Sequence, residues 1–174
     1  QRLRDRAFPL DELMRDLQRT PPDRVAGTAI FMTGSGTGAP PTLLHNLAHN
    51  KVLHASNVLL TVITEEVPMV PPDRRVEVET LGAGFFRVTL RYGFMETPDV
   101  PAALTLARAQ GLPIDKDDIT YFLGRETLLS TKAPGMARWR ERLFAVMSRN
   151  AVRATAFFNI PPERVVELGM QVEL

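Results

Sequence analysis

Three histidines, at positions 45, 49 and 54, fall in the segment PPTLLHNLAHNKVLH. His45 and His49 stand one helical turn apart with no helix breaker between them, the spacing by which two imidazoles on one helix face reach a single metal ion. The other use of such a spacing is a polar face turned to solvent or to a partner. Taking about 100° per residue with Leu43 as origin, Leu47, Leu44 and Ala48 fall at about 40°, 100° and 140°, an apolar stripe expected to face the core. His45 and His49 fall at about 200° and 240° and Asn46 at about 300°, so the imidazoles are expected to point away from that stripe. On a continued helix His54 would project about 140° from His49, and the three could not ligate one ion without a kink. The pattern H-E-x-x-H also fails, because Asn46 follows His45 and supplies no general base. The chain has no cysteine to complete a structural zinc set. The expectation is therefore no metal, with His45 and His49 on a docking surface.

A second candidate is GSGTG, the run Gly34, Ser35, Gly36, Thr37 and Gly38. Between a strand and a helix start, its backbone N–H groups and the helix dipole favour a phosphate. It matches neither G-x-x-x-x-G-K-[ST], since no Lys follows, nor G-x-G-x-x-G, so a flexible turn is the plain alternative. A third is an arginine stripe. Relative to Arg138, Arg142 lies at about 40°, Arg149 at about 20° and, on an unbroken helix, Arg153 at about 60°, beside an apolar group of Met136, Trp139, Leu143, Val146 and Met147. Such a stripe is either a solvated face or a contact for lipid headgroups or acidic protein. Arg140 borders the apolar face and calls for a carboxylate, for which Glu126 is the candidate. Ser35, Ser56, Ser130 and Ser148 lack a G-x-S-x-G context, so no catalytic residue, no cofactor and no enzymatic activity is expected.

The elements that must position these groups follow from periodicity. Phe8 to Arg19 carries Leu10, Leu13, Met14 and Leu17 at helical spacing and stops at Pro21 and Pro22. Arg24 to Thr33 reads as a strand, and Pro40 and Pro41 suit the helix start beyond the glycine loop. Asn57 to Thr64 is a continuous apolar run, as for a central strand covered on both faces. The segment EEVPMVPPDR is too proline-rich for regular structure. Arg75 to Glu79 and Phe86 to Tyr92 alternate about Gly82 and Gly84, a β-hairpin with one wet face. Asp99 is expected to cap a helix through Gln110, with Gly111 following it. A strand over Ile119 to Leu129, a helix over Met136 to Arg149 with a shorter one or its continuation over Ala151 to Phe158, and a terminal strand over Val166 to Leu174 complete the order βαβββαβαβ. That order implies an α/β fold, a mixed sheet with helices packed on it.

Composition bounds the rest. A chain of 174 residues, 44% hydrophobic, suffices for one well-packed domain. A net charge of +1 gives no argument for nucleic acid. The absence of cysteine fits a reducing compartment. No run of about 18 apolar residues occurs, so no spanning helix is expected. The start, QRLRDRAF, has no initiating Met and no signal-peptide core, and reads as the entry to a piece of something longer. Its Arg2, Arg4 and Arg6 suit either the positive charge that marks the cytoplasmic side of a membrane span or an exposed helix of the same composition.

The segments RVAGTAIFMT, PPTLLHNLAHNKVLH, TEEVPMVPPDRRVEVETLGAGFFRVTLRYGFMETPDVP, YFLGRETLL and RWRERLFAVMSRNAVRATAFFNIPPERVVELGMQVEL together resemble the C-terminal cytosolic region of bacterial KUP-type potassium uptake permeases. The resemblance covers nearly the whole chain and departs from the family at Ala26, where the family carries proline. It implies the last part of a polytopic permease coupled to proton entry, with the potassium path lying upstream. Residues 1–22 would then be a juxtamembrane linker and short helix, and 23–174 a single cytosolic domain on the cytoplasmic face of the cell membrane. Its implied partners are the transmembrane part of the same transporter, a second copy in a homodimer, and anionic lipid. Related permeases sense nucleotides through domains resembling universal stress proteins; by analogy the glycine loop makes a nucleotide-sensing domain the alternative.

Overall fold

The structure is a computed structural model that describes residues 8–34, 38–129 and 154–173. Helix α1 (Leu10–Arg19) leads into strand β1 (Asp23–Thr33), followed by α2 (Pro41–Asn50) and the long strand β2 (Val52–Glu65). A one-turn 3-10 helix (Pro72–Arg74) precedes the hairpin strands β3 (Val76–Gly82) and β4 (Phe85–Gly93). Then come α3 (Val100–Ala109), β5 (Ile119–Leu129), the short α4 (Ala154–Phe157), a second 3-10 turn (Pro162–Arg164) and β6 (Val165–Glu173). Among the described residues the expected α/β order βαβββαβαβ is observed from β1 to β6, with α4 in the last helical place; the expected helix over Met136 to Arg149 lies outside the described residues.

The six strands line up as β3-β4-β2-β1-β5-β6. All neighbours are parallel except the hairpin pair β3 and β4. Side chains alternate between the faces with the strand period of two. On one face Ile30, Val58, Leu60, Val88, Leu90 and Tyr121 pack against the α3 residues Val100, Ala103, Leu104 and Ala107. On the other Ala29, Phe31, Leu59, Phe85 and Phe122 pack with Leu10 and Leu13 of α1 and Leu43 of α2. Phe31 and Phe122, neighbours on β1 and β5, stack with ring centroids 4.8 Å apart. The continuous apolar run in β2 reflects this cover on both faces.

Helix α3 forms as expected, with local signals at both ends. The Asp99 side chain accepts from the Ala102 N–H at 2.9 Å. At the other end the Leu112 N–H reaches the Ala107 carbonyl and the Gly111 N–H reaches Arg108, a Schellman closure with Gly111 at φ +102°. The hairpin turns through Ala83 and Gly84 at φ +50° and +76°, and Arg24 stitches it to the sheet through the carbonyls of His54, Ala55 and Ala83. The β1–β2 register shifts between Val25 and Thr28, so Ala26 lies in a bulge, where a proline costs no ladder hydrogen bond. The segment EEVPMVPPDR, expected to be irregular, contributes one turn of 3-10 helix where its prolines permit it.

Candidate functional site

Two ends of the sheet matter. The chain turns back from β1 into α2 to reach β2 on one side, and crosses by α3 from β4 to β5 on the other, so β1 and β5 flank the topological switch. In open α/β sheets the crevice beyond the carboxyl ends of such strands is where ligands bind. Gly34 follows β1 at that end, and Gly38, at φ +82°, leads into Ala39 and α2. Ser35, Gly36 and Thr37 lie outside the described residues. Pro41 stands at the first position of α2, as expected, and Thr42 beside it is 2% exposed with a hydroxyl that has no hydrogen-bond partner.

Helix α2 is rotated from the expected stripe. Thr42, Leu43 and Asn46 are its buried residues, whereas Ala48 is exposed and Leu44 and Leu47 are half-buried. Asn46, expected to point away from the core, is 3% exposed. Its amide donates to the Val52 carbonyl at 3.1 Å, and its oxygen accepts from the Asn50 amide at 2.7 Å. A polar side chain is buried without penalty only when so paired, and this pairing closes the α2–β2 turn, where Lys51 takes a left-handed φ of +57°. His45 is half-buried and His49 exposed, with their rings 4.3 Å apart and tilted by 45°.

His54 does not join them. Lys51 ends α2, and His54 lies on β2, edge-on to Phe122 with ring centroids 6.0 Å apart. Its Nδ1 is buried without a partner, and burial lowers its pKa against the opposing pull of Asp118. Among the described residues no group of three side chains is placed to hold a metal. Between α1 and the C-terminal end of α2 runs an open groove of about 510 Å³, lined by Leu13, Leu17 and Leu47 together with Asp16, Arg19 and Lys51. Arg138, Arg142 and Arg149, together with Arg140 and Arg153, lie outside the described residues, and so does the side chain of Glu126.

Sequence reasoning missed a polar lock at the carboxyl ends of β2 and β4. Arg75 Nη2 donates to Glu96 Oε1 and, at 2.8 Å, to the Val70 carbonyl, while its guanidinium carbon sits 4.9 Å over the Tyr92 ring. Glu96 Oε2 accepts from the backbone N–H groups of Gly93 at 2.7 Å and Val70 at 2.9 Å. Those two N–H groups, helped by Arg75, hold the Glu96 carboxyl at about 2 against an ordinary 4.5. Tyr92 in turn donates to the Asp99 carbonyl and accepts from the Asp99 N–H, and burial pushes its pKa up. The lock ties the proline-rich loop to the β4–α3 connection. Only the alternation ending at Tyr92 hinted at it; nothing local pairs residue 75 with residue 96.

Fold and surfaces together define an α/β domain whose mostly parallel sheet is covered on both faces and whose described residues present surfaces and one locked turn. A family model described as "K+ potassium transporter C-terminal domain" matches residues 26–174, and the chain belongs to that family. It is 60% identical over 173 residues to a probable potassium transport system protein Kup of Myxococcus xanthus, covering 99% of this chain and 26% of that protein. It is 54% identical over 169 residues to Kup 1 of Geobacter sulfurreducens (97% of this chain, 27% of the relative) and 52% identical over 174 residues to Kup of Pseudomonas aeruginosa (100% and 27%), each named a probable potassium transport system protein. The chain thus spans about a quarter of the length of the curated relatives it matches. No solved structure matches it.

Proposed function

We propose that this chain is the cytosolic C-terminal domain of a potassium uptake transporter that couples potassium to proton entry, and that it regulates or assembles the transporter without an ion path of its own. The observation that carries this reading is the family match over residues 26–174, joined to relatives named for potassium transport at 52–60% identity. No helix among the described residues is long and apolar enough to cross a membrane, which fits a domain beside the spanning part. In this reading residues 1–22 are the juxtamembrane linker and short helix, residues 23–174 are the domain on the cytoplasmic face, and the chain is not an enzyme. The transmembrane part of the same transporter is its first partner. His45 and His49, with Arg138, Arg142 and Arg149, form the docking surface, and a second copy and anionic lipid are further partners. The test is potassium uptake by the whole transporter with and without this stretch, in cells lacking other uptake systems. A truncated protein that reaches the membrane and changes its uptake rate or its assembly several-fold supports the reading; unchanged rate and assembly overturn it.

A second reading, a nucleotide-sensing domain, draws on two features: the buried Thr42 hydroxyl without a partner, and the place of Gly34 and Gly38 at the topological switch. Calorimetry against ATP, AMP and cyclic dinucleotides tests it. Flat titrations at millimolar ligand remove it.

A further inference from the structure

Among the described residues the three most exposed large apolar side chains lie together. Met95 is 73% exposed, Met69 69% and Phe94 61%, with Val67, 38% exposed, beside them. They are brought together by the backbone: the Phe94 N–H reaches the Val67 carbonyl at 2.9 Å and the Met95 N–H reaches Pro68 at 3.1 Å. The Glu96 N–H reaches back to the Gly93 carbonyl at 3.1 Å, which makes Phe94 and Met95 the two corner residues of a β-turn. Corners of that kind are ordinarily Gly, Asn, Asp, Ser or Pro, chosen for backbone geometry and contact with water. Phe and Met there add nothing to the turn and leave two large side chains wet.

The turn is also held rigid. Beneath it lies the Arg75–Glu96–Tyr92 lock, and Gly93 is packed so closely that a Cβ at that position would run into the backbone of Val67 and Pro68. A preorganised apolar tip loses little conformational freedom on docking, which is the usual condition for a binding anchor. A loop that merely connected β4 to α3 would need neither the lock nor the exposed side chains.

We infer that Met69, Phe94 and Met95 form the tip by which this domain docks into an apolar cleft with a basic rim, formed by the membrane-embedded part of its own transporter; the inference rests on the function proposed above. Position and charge choose this occupant. The Ala39 N–H donates to the Phe8 carbonyl at 2.9 Å, which puts the entry to α1 at the carboxyl end of β1. Glu65 and Gly93, paired at the ends of the parallel strands β2 and β4, put the tip at the same edge of the sheet. The matched stretch is 26–28% of the relatives and belongs to a family described as C-terminal, so the bulk of such a polypeptide precedes it and joins at that edge. Around the tip Glu65, Glu66, Asp73 and Glu96 face Arg74, Arg75 and Arg91; Glu96 pairs with Arg75 and Glu65 with Arg74 and Arg91, which leaves the exposed Glu66 and Asp73 as the acidic excess. Cytoplasmic loops of polytopic membrane proteins carry an excess of Lys and Arg, which complements this flank. Anionic lipid is repelled by it, and a second copy of the tip would bring like charge to like.

The test places cysteine at the tip, as Phe94→Cys and Met95→Cys, in a full-length transporter otherwise free of cysteine, with Leu106→Cys as the reference, since Leu106 is exposed on α3 at 44%. Labelling by a water-soluble maleimide is followed in inside-out membranes, in lipid-free detergent, and on the chain Gln1–Leu174 alone. The expected result is tip labelling about tenfold slower than the reference in both full-length preparations, and equal to it in the chain alone. Equal labelling everywhere overturns the inference. Protection lost in detergent assigns the tip to lipid, and protection in the chain alone that grows with concentration assigns it to a second copy; either overturns it as well. Potassium uptake by the same variants keeps the two claims apart. A freely labelled tip beside uptake that still depends on the domain removes this inference only, whereas a protected tip beside uptake indifferent to the domain removes the regulatory reading.

Discussion

The Glu96 carboxylate is fixed by two backbone N–H groups and Arg75, which hold its pKa at about 2 against an ordinary 4.5. A carboxyl depressed in the folded state contributes stability above its unfolded value and loses it as the pH falls through the folded one. The urea midpoint should therefore drop between about pH 4.5 and pH 2, and Glu96→Gln should flatten that limb while lowering stability at neutral pH. His54 adds to the acid side by a different route. Its burial lowers its pKa below 6.5, so the unfolded chain takes up the proton first and stability begins to fall as the pH drops through 6.5. At the alkaline end, burial pushes the Tyr121 hydroxyl up to about 12, and stability carried by its neutral form should be lost from about pH 10 to pH 12. Gly93 makes a steric prediction of the same scale. Gly93→Ala must displace the Val67–Pro68 backbone and should cost about 1–3 kcal/mol in urea unfolding, the range for overpacked sites.

Among the elements, the helix ends divide what sequence can and cannot show. Asp99 and Gly111 announce α3 by residue type, because a cap and a left-handed C′ position each demand particular side chains. Asp99→Ala removes the bonds to Ala102 and Asn159 together and should cost about 1–2 kcal/mol by thermal or urea unfolding. Helix α2 was less legible. Its existence followed from Pro41 and the leucines, but its rotation did not, since a periodicity argument counts Asn46 as polar and turns it outward. The residue is buried because the Val52 carbonyl, beyond the helix, needs a donor. Lys51 is a related case, a non-glycine residue in the left-handed region that a lysine does not advertise. Lys51→Gly should raise stability by about 0.5–1 kcal/mol, measured by the urea midpoint. The apolar tip was illegible for another reason. Met69 lies 25 residues before Phe94, and Glu96 becomes a partner for Arg75 only after the hairpin has brought them together.

For the whole molecule the question is where the folded unit begins. The family match starts at residue 26, and the division proposed above begins the domain at residue 23, yet α1 lies before both and packs into the cluster that holds Phe31, Leu43 and Phe122. Leu10 is 8% exposed and Leu13 7%, and Phe8, Met14 and Leu17 pack beside them. Burying each leucine is worth about 1.5–3 kcal/mol relative to leaving it in water, so α1 carries roughly 3–6 kcal/mol through these two side chains, an upper estimate for a chain already partly collapsed when unfolded. That is a large share of the stability of an ordinary domain, about 5–15 kcal/mol. Nothing else among the described residues covers that part of the face, because α2 lies alongside α1 and α3 is on the opposite side of the sheet. A chain beginning at Asp23 should therefore unfold at markedly lower urea than Gln1–Leu174, with a steeper loss than any surface substitution in the same segment. An unchanged midpoint would make α1 a tether only. A lowered one would make it the first element of the domain, so that any pull or rotation from the polypeptide preceding it would act directly on the sheet.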